Sequence, residues 1–345
     1  MKGAGISADL RFSRFQRAAL KSEARNPKSE IRIISFWMGF FIVMPPGFCS
    51  TAVERESMNL TSTTAKELSP SERLALVSLL ADEDPAIYQT VREKLLSYGP
   101  PAADWLRPHV TSNDPALRRR ARQIILHFDR QAADDHFLGF CLRHGEEFDL
   151  EEGAWLFAQT QYPRINVEAY RALLDEYANE LRARLISTAE PSDILTIVNQ
   201  YLFNDLGFAG NDEDYYAPEN SYLNCVLDRR TGNPINLCLL YLLLARRLRL
   251  PVAGIGLPGH FICRYQSSAG ELYLDPFHRG KFLSKADCVQ YLTNANCSLR
   301  DDYLTPVSPR RLLLRICSNL HQIYQRLEQA VEATRLQRYL IALAR

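Results

Sequence analysis

A mixed fold, largely helical with one block of short β-strands, is predicted on three observations. Apolar residues recur at helical spacing through most of the chain beyond residue 70. The nearly continuous apolar run from Leu237 to Leu248 has the length of a buried helix, since a membrane span needs roughly twenty such residues. Directly after it, VAGIGL, FICRY and ELYLD are short, rich in β-branched and aromatic residues, and bounded by Gly, Pro and Ser, as strands are.

Residues 1–69 read as a leader and linker. The apolar run Ile34 to Met44 precedes Pro45-Pro46 and is too short to span a bilayer. Its length suits the core of an export signal, but it begins late for one. A true start at Met58, just ahead of the patterned region, is the simpler expectation; a cleaved export signal and a short membrane-associating segment are the alternatives. No stable membrane span is predicted, and a cytoplasmic location follows unless the segment is an export signal.

Residues 70–145 contain two similar stretches. Asp84-Pro85 and Asp114-Pro115 each place an acceptor at a helix N-cap and proline at the first helical position. Val91, Leu95 and Leu96 follow in one, and Ala121, Ile124 and Ile125 in the other, at helical spacing. This pattern predicts HEAT-like helical hairpins, a form that offers surface for protein contact. The arginines at 118, 119, 120 and 122 read as a solvated helix face.

Residues 151–305 read as the main domain. Trp155 and Leu156 lie on one helix. Tyr170, Leu173, Leu174, Tyr177 and Leu181 form the apolar stripe of a second, over 167–185. Ile194, Ile197, Val198 and Tyr201 face inward from a third. Phe203 to Leu223 reads as a loop, with Gly207, Gly210, Asn211 and Pro218. It lacks the spacing of a phosphate cradle, and Asp212, Glu213 and Asp214 lack that of a calcium loop. Pro234 and Pro251 bracket the apolar helix, and Ser268-Ala269-Gly270 is the expected turn between the last two strands. Residues 306–345 form a C-terminal helical hairpin, with Leu312, Ile316, Leu320 and Ile323 at core spacing.

Lys and Arg number 41 against 40 Asp and Glu, so no overall field draws the chain to nucleic acid or to anionic membranes. The eight cysteines are scattered, with no CxxC. That spacing excludes zinc fingers and a disulfide scaffold and suggests buried thiols.

Cys238, His260 and Asp275 occur in that order on a helix and two strands, the element types used by thiol enzymes. Such chemistry needs a thiol nucleophile, an imidazole to deprotonate it and a carboxylate to fix the imidazole's tautomer. The plainer alternative makes Cys238 a packing residue and His260 a core histidine satisfied by Asp275. Adding His278 to His260 and Asp275 gives fewer ligands than a closed structural zinc site takes, and no metal or cofactor is expected.

The stretch GFAGNDEDYYAPENSYLNCVLDRRTGNPINL, then LPVAGIGLPGHFICRY, then YLDPFHRG resembles the bacterial SirB-one family. The resemblance runs upstream to about Glu151 and downstream into SPRRLLLRICSNLHQIY, similar to the helix that opens that family's tetratricopeptide-like tail. It implies an α+β fold with a papain/transglutaminase-like core, a central helix packed on a small antiparallel sheet. His260 in GHF and Asp275 in LDP match the family's histidine and aspartate. In the active enzymes of this fold the cysteine opens the central helix; counting back from Pro251 puts that position at Pro234, and Cys238 lies one turn deeper, about 5.4 Å along the axis. Asn220, Asn224, Arg229, Arg230 and Asn233 also match the family's pattern, and Asn236 stands near the helix start. These residues either line a binding site or cap the helix and hold the loop. The resemblance implies a thiol-dependent acyl transfer, amide hydrolysis or transamidation of a protein or peptide. The alternative is a non-catalytic scaffold that binds a protein partner.

Overall fold

The computed structural model describes residues 68–185, 190–268, 270–295 and 301–345. The segment Ile34 to Met44, Met58, Cys49, Ala269 and Cys297 lie outside the described residues. The chain divides into two compact units, 1–125 and 126–345.

In the first unit, α1 (Pro70–Ser78) begins in a capping box formed by Ser69 and Glu72. The helices α2 (Pro85–Ser97) and α3 (Pro101–Leu106) follow, then the start of α4 (Pro115–Arg143). Asp84 Oδ1 accepts from the Ala86 N–H at 2.8 Å, and Asp114 Oδ1 does the same for Ala116. Val77, Leu80, Val91, Leu95, Leu106, Ala121 and Ile124 form the buried interior. The arginine run is not simply a solvated face. Arg120 donates to the Leu80 and Asp82 carbonyls, Arg118 to Ser112 and Arg122 to Val110. These bonds satisfy carbonyls at turns, where helices leave acceptors unpaired.

The second unit is α+β. The helices α5 (Leu150–Gln161), α6 (Val167–Arg184) and α7 (Pro191–Asn199) lead in, and α7 ends in a π-turn over Gln200–Asp205. Leu174, Tyr177 and Leu181 of α6 are buried as the stripe predicts, while Tyr170 and Leu173 pack at its margin. The stretch expected to be all loop contains β1 (Ala209–Gly210) and a 3-10 turn at Pro218–Ser221. After α8 (Leu223–Arg229), β2 (Thr231–Gly232) pairs in parallel with β1.

The apolar run folds as α9 (Pro234–Arg247). Asn233 is its N-cap, accepting from the Asn236 N–H at 3.0 Å. Ile235, Leu237, Leu239, Leu240, Leu243 and Leu244 are all buried. Each contributes roughly 1.5–3 kcal/mol, so packing rather than helix propensity holds this element. It lies on β3 (Val252–Leu257) and β4 (His260–Ser267). With β5 (Gly270–Asp275) and β6 (Lys281–Leu283), these strands form an antiparallel meander in sequence order. The turn Pro258-Gly259 joins β3 to β4, pairing Leu257 with His260. Gly259 has φ +67°, a left-handed value that glycine takes without strain. Then come α10 (Lys285–Asn294) and a C-terminal hairpin of α11 (Pro309–Arg326) and α12 (Ala330–Leu343). Among the described residues no helix is long and apolar enough to cross a membrane.

Candidate functional site

Strand alternation decides what reaches His260. Successive side chains point to opposite faces of a sheet. Phe261, Cys263 and Tyr265 of β4 pack in the main core with Cys238 and Tyr241 of α9. Ile262 joins Ile255, Leu257 and Tyr273 in a second cluster on the other face. His260, two residues before Ile262, belongs to that second face, as does Asp275, two residues after Tyr273.

The two meet there. His260 Nε2 donates to Asp275 Oδ2 at 2.7 Å, with both residues buried. Asp275 ends β5 and caps the 3-10 turn Pro276–His278; its Oδ1 accepts from the N–H groups of Phe277 and His278 at 3.1 and 3.3 Å. The same turn brings the His278 ring back, and its Nδ1 donates to Asp275 Oδ2 at 2.7 Å. One carboxylate oxygen is thus shared by two imidazoles. Burial opposes ionisation of Asp275, but the charge and hydrogen bond of His260, with those of His278, outweigh it and hold the carboxyl well below its ordinary range. Burial pulls His278 down while Asp275 pulls it up more strongly, so its net shift is upward.

Cys238 is fully buried, and its thiol donates to the Phe261 carbonyl at 3.4 Å. Burial pushes it well above the ordinary thiol range, and its neighbour Cys263 adds to the rise. His260 Nδ1, the ring nitrogen opposite the one held by Asp275, is buried with no hydrogen-bond partner. The structure therefore joins His260 to Asp275 but does not pair Cys238 with His260. Cys238 lies one turn into α9, beside Phe261 and Cys263, with its thiol on the Phe261 carbonyl.

The remaining candidates hold the loop and the helix start. Asn220 donates to the carbonyls of Asp214 and Tyr215 and accepts from Asn211. Asn233 donates to Ser221 Oγ at 3.1 Å and accepts from Asn236. Arg230, with φ +57°, donates to the Leu206 carbonyl. Arg229 is half exposed and 3.7 Å from Glu219. Asn224 is buried with its Oδ1 unpaired.

Sequence reasoning set His278 beside His260 and Asp275 but weighed it only as a metal ligand, not as a hydrogen-bond partner of the carboxylate, which the i, i+3 spacing across a Pro-containing turn allows. It passed over Arg315 of α11, which donates to the carbonyls of Leu257 and His260 and so clamps both ends of the turn that presents His260. Tyr291 donates to the Pro258 carbonyl in the same turn, at 3.0 Å. Among the described residues, His260, Asp275 and His278 are the group whose donor atoms lie close enough together to hold a metal ion, all within 4.8 Å.

Residues 168–318, which include this whole site, match the transglutaminase-like superfamily. A UPF0162 protein of Xylella fastidiosa strain Temecula1 is 35% identical over 196 residues, covering 55% of this chain and 70% of the relative. The chain belongs to the UPF0162 family. The protein of that name from Xylella fastidiosa strain 9a5c is 36% identical over 185 residues, covering 52% of this chain and 66% of the relative. F-box only protein 21 of Mus musculus is 35% identical over 143 residues, covering 39% of this chain but 22% of that longer protein. No solved structure matches the chain significantly.

Proposed function

We propose that this UPF0162 protein uses its transglutaminase-like domain as a protein-interaction module and not as a thiol acyl-transferase. The observation that carries the reading is the state of His260: the nitrogen that would take a thiol's proton has no partner, and the thiol of the central helix is bonded to the Phe261 carbonyl instead. A buried thiol whose pKa is raised is a poor nucleophile. Similarity to part of F-box only protein 21 supports the same reading, because a related segment stands within a longer chain. The helices of residues 70–145, read as HEAT-like, and the C-terminal hairpin, read as tetratricopeptide-like, offer surface to a protein or peptide partner.

The His260–Asp275 bond favours a second reading, acyl transfer on a protein or peptide. Cys238 would attack the carbonyl, His260 would carry the proton, Asp275 would orient His260, and backbone N–H groups near Asn236 would hold the oxyanion. This requires the thiol to leave the Phe261 carbonyl and reach Nδ1. Alkylation of Cys238 by a small electrophile against pH, in the wild-type protein and in His260→Ala, separates the two. Labelling only on unfolding, unchanged by the histidine, is expected. Fast labelling with an apparent pKa well below about 8.5, lost in His260→Ala, would replace the interaction reading with the enzyme reading.

A further inference from the structure

We propose that His260, Asp275 and His278 form a binding site for one divalent transition-metal ion of the zinc type, held through Nε2, Oδ2 and Nδ1. This goes beyond the interaction reading and does not depend on it. Two imidazoles and a carboxylate make a donor set suited to zinc and its neighbours, which leaves at least one position for water or another ligand. In the structure, Asp275 Oδ2 lies 2.7 Å from a ring nitrogen of each histidine. A carboxylate oxygen accepting from two imidazoles is the metal-free form of such a site, with two protons where one ion would sit.

The parts are set for it. Asp275 Oδ1 is pinned by the backbone N–H groups of Phe277 and His278, as outer contacts commonly fix a ligating carboxylate. His260 stands at the buried end, its backbone carbonyl held by Arg315. The His278 side chain is 37% exposed, so the ion can enter from that side and keep an open position there. Zinc binds nitrogen and oxygen donors at about 2.0–2.1 Å, which in a tetrahedron spaces donors about 3.3 Å apart. Both short contacts must open by about 0.6 Å: the partly exposed His278 ring can move for its own, and a small turn of the Asp275 carboxylate about its pinned Oδ1 opens the contact to His260. Ligation through Nε2 leaves the His260 ring proton on Nδ1, which nothing holds, whereas metal-bound imidazoles usually tie that proton to a carbonyl or carboxylate. Affinity is therefore expected on the order of micromolar, not the far tighter binding of structural zinc centres.

The test is titration of the metal-free full chain with Co2+ and Zn2+, read by the Co2+ visible absorption and by calorimetry. The expected result is one ion per chain, visible bands of a low-coordinate mixed nitrogen and oxygen site, and at least tenfold weaker binding in His278→Ala. Because His278 is partly exposed, that variant keeps the fold, checked by an unchanged far-UV spectrum; Asp275→Asn is the second variant and is expected to lose binding as well. No saturable binding by the wild-type chain, or equal binding by wild type and His278→Ala, would overturn the site.

Discussion

Asp275→Asn keeps the shape of the carboxylate shared by His260 and His278 and removes its charge. Asp275 accepts from the two imidazoles at 2.7 Å each and from two backbone N–H groups at 3.1 and 3.3 Å. The amide oxygen can keep the backbone donors, but its NH2 then faces two ring N–H groups. Hydrogen bonds to a charged group contribute about 1.5–3 kcal/mol each, and two that share one oxygen do not add fully, so a loss of about 3 kcal/mol is expected. For a unit the size of residues 126–345, that lowers Tm by about 6–12 °C. The pH dependence has a fixed sign. The folded carboxyl is held low, so its stabilisation is complete above the unfolded value of about 3.9 and is lost as pH falls through the folded value. His278 is raised, so its share is complete below about 6.5 and is lost as pH rises through its folded value. The gap between wild type and variant is thus widest between about pH 4 and 6.5. Thermal unfolding followed by circular dichroism, with a chelator present, measures it. A Tm change below about 2 °C at pH 5, or a gap that does not vary with pH, would refute the reasoning.

Two further outcomes test the frame that holds the site. Arg310 is buried and donates to the carbonyls of Leu343, Ala342, Cys141 and His144 at 2.7–2.9 Å. Lysine cannot reproduce that planar fork, so Arg310→Lys is expected to lose about 2–4 kcal/mol in denaturant unfolding; a loss below about 1 kcal/mol would show those bonds to be replaceable. Gly280 has φ +69°, and a Cβ there would lie 2.3 Å from Asn199 Cγ, whose Nδ2 donates to the Gly280 carbonyl. Gly280→Ala should lose at least about 2 kcal/mol through left-handed strain and overpacking, and Asn199→Ala should restore part of it in a double-mutant cycle.

Much of the fold was legible in the sequence because its signals are local. The apolar run fixed α9, the proline positions bounded it, and the short gap between His260 and Asp275 announced two adjacent strands. The aspartates at 84 and 114 declared themselves as caps by their spacing from the prolines. What was not legible depends on which face meets which. Cys238 and His260 stand on suitable elements in a suitable order; the count back from Pro251 already set Cys238 a turn too deep, but that the thiol would lie beside Phe261 and Cys263 no periodicity reveals. Buried arginines were hidden for a related reason. Arg310 and Arg315 occupy an amphipathic helix where charge normally marks the solvent face, and only the carbonyls they meet show otherwise. The arginines near residue 120 misled in the same way.

The tautomer of His260 is where the readings of this site diverge. With Asp275 ionised, Nε2 carries the proton it donates, and in the neutral ring that leaves Nδ1 as a bare acceptor. An unpaired buried acceptor costs about 1–3 kcal/mol, so the packing around His260 opposes whatever leaves it unmatched. A thiol enzyme would use that lone pair at once, but α9 brings no thiol to it. A metal ion on Nε2 would reverse the tautomer and turn the unmatched acceptor into an unmatched donor, which is why the proposed ion is expected to bind only moderately. A docked protein segment could not donate to Nδ1 without opening the packing, because that nitrogen is buried. The interaction reading therefore rests on surface away from this nitrogen, and the His260–Asp275 bond serves it by holding the end of β4 to the turn that follows β5.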